Sequence, residues 1–239
     1  MTARSPVSPR QCDVADFDAY SADYVDALQR GLKYSGEDAS HFAMGRVRWL
    51  AQQLSELHFE PRSLIDFGCG TGASTPYFLS LLNVDVTGID VSEGLLERAR
   101  LDHGSPRARY TLRNNYVPAG NVDIAFCNGV FHHIKPSDRR DALDYILKSL
   151  RPGGLFAFWE NNPWNPGTRF VMSRIPFDRD AITISPPEAR RLLREAGFQL
   201  VRTDHLFFFP RILSWLRPTE TYLAGIPFGA QYLVLARKG

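Results

Sequence analysis

No apolar run in this chain approaches the roughly 20 residues that a helix needs to cross a bilayer. The opening MTARSPVSPRQCD also lacks an apolar stretch, so neither a signal peptide nor a membrane anchor is expected. Cysteine is scarce. The three present, Cys12, Cys69 and Cys127, are far apart, odd in number and in no C-x-x-C pair. A disulfide framework and a thiolate zinc site are therefore disfavoured, and a reducing, cytoplasmic compartment is the expectation. Excess charge is missing too: 28 basic against 26 acidic residues leave a net +2. No global field advertises nucleic acid or an anionic membrane. Arg190, Arg191 and Arg194 cluster, as do Arg98, Arg100, Arg107, Arg109 and Arg113. Acids are interspersed among them, so solvated helix faces explain them and no nucleic acid is expected.

What is present is enough for one sizeable core, with 44% of 239 residues apolar. The expected organisation is a disordered Pro/Ser-rich tail over 1–12, then a single domain over 13–239. Within it, 13–57 is helical and amphipathic with a break at Lys33-Tyr34-Ser35-Gly36-Glu37. Ser40 is placed to cap the second helix, whose Val47, Leu50, Leu54 and Leu57 recur at helical spacing.

A strand–helix rhythm follows. Strands are expected at 63–67, 84–90, near 110–112, at 122–127 and at 155–159. Helices are expected over 75–82, over 93–100 capped by Ser92, and over 138–150, the last stopped by Arg151-Pro152-Gly153-Gly154. This alternation implies a parallel sheet with right-handed crossovers. Farther on, Ser185-Pro186-Pro187-Glu188 has the form of a capping box opening a helix that ends at Gly197. Two β-rich runs, 200–209 and 231–236, flank a Pro-punctuated aromatic segment at 211–229. With no full crossover helix between them, they are expected to pair antiparallel at the sheet edge.

The chemistry starts at Leu64-Ile65-Asp66-Phe67-Gly68-Cys69-Gly70-Thr71-Gly72-Ala73. Its glycines satisfy the dinucleotide fingerprint G-x-G-x-x-G/A, and Asp90 follows about 20 residues on. Asp66 argues against a nicotinamide oxidoreductase, because a carboxylate two places before the first glycine repels a pyrophosphate. A cofactor with a cationic head and no phosphate is favoured by the same carboxylate. S-adenosylmethionine, with its α-ammonium, sulfonium and adenosine, has that chemistry.

Over residues 60–160 the chain resembles the class I S-adenosylmethionine-dependent methyltransferases, whose first motif is acid-x-G-x-G, here Asp66-Phe67-Gly68-Cys69-Gly70. Phe17-Asp18-Ala19-Tyr20-Ser21-Ala22-Asp23-Tyr24 is similar to the N-terminal lid of their small-molecule branch. The resemblance implies a Rossmann-like, doubly wound, seven-stranded sheet. It would be mostly parallel, with an antiparallel C-terminal edge strand and helices on both faces. It also implies S-adenosyl-L-methionine as cofactor and S-adenosyl-L-homocysteine as product. The implied cofactor set is Asp66, Gly68, Gly70, Asp90, Val91, Asn115, Tyr116 and Asn128. Asp90 would accept the ribose hydroxyls. Asn115 stands where relatives often carry an acid for the adenine amine, and its amide oxygen offers the same acceptor. An Asn-Pro-Pro-Tyr type motif, used by many nucleic-acid amino methyltransferases, is replaced by Asn128-Gly129-Val130-Phe131.

His132 and His133 follow on that edge and are expected to point in different directions. Neither has a carboxylate or cysteine at ligand spacing in the sequence, so no metal is expected. The resemblance favours His133 as the substrate-contacting, catalytic histidine; a core or capping histidine is the alternative. The acceptor pocket is expected from the N-terminal helices, 160–184 and 211–229, with Trp215, Tyr222 and Phe228 suggesting an aromatic or apolar small molecule. A lipid-linked or macromolecular acceptor and a non-catalytic cofactor-binding scaffold stand as the alternatives.

Overall fold

The computed structural model describes residues 24–179 and 181–239. The tail over 1–12 and all but the last residue of the 17–24 motif lie outside them. Helices α1 (Tyr24–Leu32) and α2 (Ala39–Glu56) come first. The cap of α2 is Asp38 rather than Ser40: its Oδ1 accepts the His41 amide at 2.9 Å and the Ser40 hydroxyl at 2.7 Å. A carboxylate two residues earlier outcompetes the serine for the free amides of the first turn.

Five strands and their crossovers follow: β1 (Ser63–Phe67), the short α3 (Thr75–Tyr77), β2 (Asp85–Asp90), α4 (Glu93–His103), β3 (Ala108–Leu112), β4 (Val122–Asn128), α5 (Arg139–Ser149) and β5 (Leu150–Asn161). The helix expected over 75–82 survives as α3 and a π-turn at 78–82, closed by Asn83 at φ 54°. β5 starts five residues before the expected strand. Arg151-Pro152-Gly153-Gly154, expected only to stop a helix, forms an irregularity in the β4–β5 ladder with Gly153 at φ 74°. Arg151 Nε meets Asp123 Oδ1 at 2.6 Å and fastens it.

The remaining elements are α6 (Pro166–Met172), α7 (Pro186–Glu195), β6 (Phe198–Leu206), α8 (Glu220–Leu223) and β7 (Gln231–Lys238). Ser185 precedes α7 in an extended conformation, but its side chain makes no capping bond. Glu188, the other half of the expected box, instead takes Arg139 Nη1 at 3.4 Å. The sheet order is β3-β2-β1-β4-β5-β7-β6. β7 is antiparallel to both neighbours, so the reversed strand lies one place inside the edge and β6 forms the edge.

Alternation along each strand feeds two cores. Ile65, Phe67, Ala125, Cys127, Phe156, Phe158, Tyr232 and Val234 meet α5 and α7 on one face. Leu64, Ile124, Phe126, Leu155, Trp159, Leu233 and Leu235 meet Val47, Leu50 and Leu54 of α2 on the other. Because α2 is anchored by this buried stripe, its N-terminal half is held over the carboxyl ends of β1, β4 and β5. No helix among the described residues is long and apolar enough to cross a membrane.

Candidate functional site

The turn after β1 needs glycine for steric reasons. Gly68, Gly70 and Gly72 have φ of 74°, 53° and 74°, where other residues are strained. A Cβ on Gly68 would also lie 2.3 Å from Val130 Cγ2, so the turn after β4 packs directly on this loop. The Gly68 and Cys69 amides both donate to Ile89 O (2.7 and 3.1 Å), and the Gly70 amide donates to Asp90 Oδ2 at 2.8 Å. Among the described residues, a Cβ on Gly70 would meet nothing within 4 Å, so the loop presents an open cradle there.

Asp90 does more than the sequence suggested. Its Oδ1 accepts the Val91 and Ser92 amides at 2.8 and 3.0 Å, and Ser92 in turn caps α4 through the Leu95 amide. Asp90 is therefore the latch between glycine loop and α4. Asp66, opposite Gly88 of β2 and Phe126 of β4, is almost fully buried. Burial, then the charge of Asp90, raise its carboxyl to about 7, against a lowering influence of Arg46. Two carboxylates at neighbouring strand ends thus make a site that a cation relieves.

The other proposed contacts stand around this pair. Val91 and Asn115 are exposed at the ends of β2 and β3. Tyr116 is half-buried against Tyr145, whose hydroxyl donates to the Tyr116 carbonyl at 3.1 Å. Asn128 ends β4 with its Oδ1 buried and without a hydrogen-bond partner among the described residues. A buried acceptor left open costs about 1–3 kcal/mol unless something donates to it.

Beside Asn128 and Gly129 opens a cavity of about 560 Å³, within the usual range for small-molecule sites. The N-terminal helices and segment 160–184 wall it, as expected from the sequence. The aromatics expected from 211–229 do not: Trp215, Tyr222 and Phe228 are 72%, 87% and 61% exposed and lie outside the lining. Phe207, Phe208 and Phe209 take that place, because Glu220 Oε1 accepts the Phe208 and Phe209 amides and folds them inward. Asn162 and Asn165 are bracing rather than recognition groups, since their side-chain amides donate to the carbonyls of Pro227, Phe228 and Gly229.

The floor of the cavity holds the two histidines. They do not diverge; both reach Asp178 Oδ1, His132 Nε2 at 3.4 Å and His133 Nε2 at 3.2 Å. Glu160, at the end of β5, accepts His132 Nδ1 at 2.6 Å and the Phe131 amide at 2.8 Å. The carboxylates absent at ligand spacing in the sequence are therefore supplied by the fold. The ligand atoms of His132, His133 and Asp178 lie within 4.8 Å of one another, and hydrogen bonds to Asp178 and Glu160 engage both histidines. Burial lowers His132, but Glu160 and Asp178 outweigh it and raise the ring to about 10. The same contacts bring Asp178 down to about 2 against its burial. His133 is lowered, first by burial and then by the neighbouring His132 cation, so it is neutral at neutral pH.

A methyltransferase-domain family model matches residues 65–156. O-methyltransferase rstn1 of Aspergillus nomiae is 30% identical over 181 residues, 69% of this chain and 76% of that protein. O-methyltransferase cnsE of Penicillium expansum is 25% identical over 213 residues, 83% of this chain and 76% of that protein. The chain belongs to the class I S-adenosylmethionine-dependent methyltransferases. The fold agrees: the crystal structure of a methyltransferase of Thermotoga maritima, described as a possible histamine N-methyltransferase, superimposes with a TM-score of 0.67. That match has 21% identity and covers 92% of this chain and 98% of the other.

In this methyltransferase the open cradle at Gly70, the unsatisfied Asn128 Oδ1 and the paired acids fit S-adenosylmethionine. A test of the cradle is Gly70→Ala. The positive φ costs about 1–2 kcal/mol of stability, and no neighbour clashes. We expect a folded protein whose thermal unfolding no longer responds to S-adenosylhomocysteine; an undiminished response would show that the ligand lies elsewhere. Sequence reasoning missed Arg46, Glu160 and Asp178. Glu160 was visible as an acid just after a buried strand, and Asp178 and Arg46 lie in segments expected to wall the pocket, but nothing in the sequence singles out either residue.

Proposed function

We propose that this methyltransferase transfers a methyl group to a hydroxyl oxygen of a small, largely apolar or aromatic acceptor, with His133 as the proton acceptor. The observation that carries the reading is His133, held by Asp178 and lowered by burial, on the floor of a cavity of about 560 Å³ beside Asn128 and Gly129. Curated relatives named as O-methyltransferases support oxygen as the nucleophile.

Bound at the glycine loop, the cofactor supplies a sulfonium-activated methyl group. Asp66, Gly68, Gly70, Asp90, Val91, Asn115, Tyr116 and Asn128 hold it. Asp66 would hold the ammonium, and the remaining lone pairs of Asp90 would accept the ribose hydroxyls. Asp178 holds the Nε2–H tautomer of His133 and so leaves the basic lone pair on Nδ1. His133 would accept the hydroxyl proton of the acceptor as its oxygen takes the methyl group, the carbon–sulfur electron pair leaving with the sulfur. Helices α1 and α2 act as the lid, and the phenylalanines of 207–209 exclude water.

The test is incubation with methyl-labelled S-adenosylmethionine and a panel of phenols, then a metabolite extract. We expect label on oxygen. His133→Ala should keep S-adenosylhomocysteine affinity and lose roughly 10²- to 10⁴-fold in turnover, the usual contribution of a positioned base. Label on nitrogen or carbon, or an undiminished rate in the variant, would overturn the assignment of His133.

A further inference from the structure

Two ring nitrogens and one carboxylate oxygen converge on the cavity floor. His132 Nε2 and His133 Nε2 lie 3.4 and 3.2 Å from the same atom, Asp178 Oδ1, and the three ligand atoms are within 4.8 Å of one another. These contacts are long for hydrogen bonds between charged groups, which close to about 2.7–2.9 Å. His132 Nδ1 and Glu160 do close, to 2.6 Å. In a tetrahedral zinc site, ligands about 2.0–2.2 Å from the ion stand about 3.3–3.5 Å apart. The spacing around Asp178 Oδ1 is therefore that of atoms sharing a metal.

A second observation lies behind His132. Glu160 holds Nδ1 and is itself held by the Phe131 amide at 2.8 Å, so the ring is fixed with Nε2 toward Asp178. Histidines that bind metals are oriented in this way, by a carboxylate or carbonyl on the other ring nitrogen. Charge agrees. With both rings neutral, Glu160 and Asp178 leave two carboxylates that are 1% and 8% exposed, which one divalent cation balances. His132, His133 and Asp178 all line the cavity, so a fourth coordination position opens onto it. The third ligand comes 45 residues after His133, which is why spacing along the chain points away from a metal.

We propose that His132 Nε2, His133 Nε2 and an oxygen of Asp178 bind a divalent transition-metal ion of the zinc type, and that the bound ion arrests methyl transfer. The second half rests on the assignment of His133 as proton acceptor above. On ligation His132 gives its Nε2 proton to solvent and keeps Nδ1–H on Glu160. His133 moves its single proton from Nε2 to Nδ1, so no lone pair remains for the acceptor hydroxyl. The metal-free protein is then the active form, and zinc is a reversible inhibitor.

The test is equilibrium dialysis of the chelator-treated full chain against Zn²⁺, with metal analysis. A single ion per chain should bind with a Kd below about 1 μM. His133→Ala and Asp178→Asn should each weaken it by at least about 100-fold, and Glu160→Gln by about 10- to 100-fold. Mg²⁺, which prefers oxygen ligands and its own waters, should not compete. Thermal unfolding of each variant reports whether the fold is kept. With a phenol that is turned over, Zn²⁺ at about ten times its Kd should lower the rate about tenfold, and chelator should restore it.

A loss below about threefold in both His133→Ala and Asp178→Asn would place the ion elsewhere and overturn the site. Zinc that binds through these residues yet leaves the rate unchanged, or raises it, would overturn the inhibition and the role of His133 as base. The cofactor reading fails separately: Gly70→Ala should lose its response to S-adenosylhomocysteine and keep its zinc.

Discussion

Replacing Asp66 by asparagine should destroy cofactor binding and, at the same time, make the unliganded protein more stable above neutral pH. The carboxyl is buried and raised from 3.8 to about 7. For an acid raised on folding, the stabilising contribution is complete below the unfolded value and is lost as pH rises through the folded one. Above pH 7 the native protein therefore carries the full cost of an ionised buried carboxylate, about 4 kcal/mol if nothing else relaxes. The isosteric amide avoids that cost. In thermal or urea unfolding without ligand, the advantage of Asp66→Asn should grow between pH 4 and 7 and then level off. With S-adenosylhomocysteine at about 100 times its Kd, the parent gains about 2.7 kcal/mol and the variant gains nothing.

The same carboxyl sets a pH dependence of affinity. An ammonium needs the ionised acid, so binding below pH 7 must first release a proton. Affinity should fall by about tenfold per pH unit below that point and be flat just above it. A variant that binds the ligand as well as the parent, or one less stable than it at pH 8, would contradict this account. A group that destabilises its own fold and is relieved by a cationic ligand marks a binding site more securely than its position in a motif does.

The second large effect belongs to His132, and it is structural. Glu160 and Asp178 are 1% and 8% exposed, and the His132 cation lies between them. Its removal in His132→Ala leaves two buried carboxylates facing one another. Breaking a buried charge network in this way costs about 3–5 kcal/mol, a large share of the roughly 5–15 kcal/mol that holds a domain together. The urea midpoint should drop accordingly, whereas His133→Ala, at the cavity surface, should leave it within about 1 kcal/mol. The pH dependence separates this from a simple packing defect. His132 is raised from 6.5 to about 10, so its contribution is complete below pH 6.5 and is lost as pH rises through 10. The parent should lose stability across that window, and His132→Gln should lose less. An alanine variant within 1 kcal/mol of the parent would show that the carboxylates find other partners.

Much of the fold was legible because periodicity is local. The alternation at 63–67 and 122–127 and the stripe of Val47, Leu50 and Leu54 report which faces are buried, whatever they are buried against. Errors fell where a second group competed for a local role. Asp38 replaced Ser40 at a cap, Arg139 took Glu188 from the expected capping box, and the bulge at Gly153 carried a strand through a helix-stop signal. The aromatics of 211–229 show the same limit. Composition suggests that Trp215 and Tyr222 serve the pocket, but the amides that Glu220 holds turn the phenylalanines of 207–209 inward instead.

The sequence by itself determined the glycine turn and the two acid-bearing strand ends beside it. Glycines that alone tolerate positive φ, an acid two residues before them and another after the next strand are short-range requirements of one turn and two strand ends. The acceptor half was decided only by tertiary structure. Asp178 comes 45 residues after His133, Glu160 is 28 residues from His132, and Gln231 is 185 residues from Arg46. Their proximity depends on strand order and on how α2 sits across the sheet. Burial then gives those groups their charges: it lowers His133, and it makes Glu160 and Asp178 strong enough neighbours to keep His132 protonated. No local pattern encodes either effect.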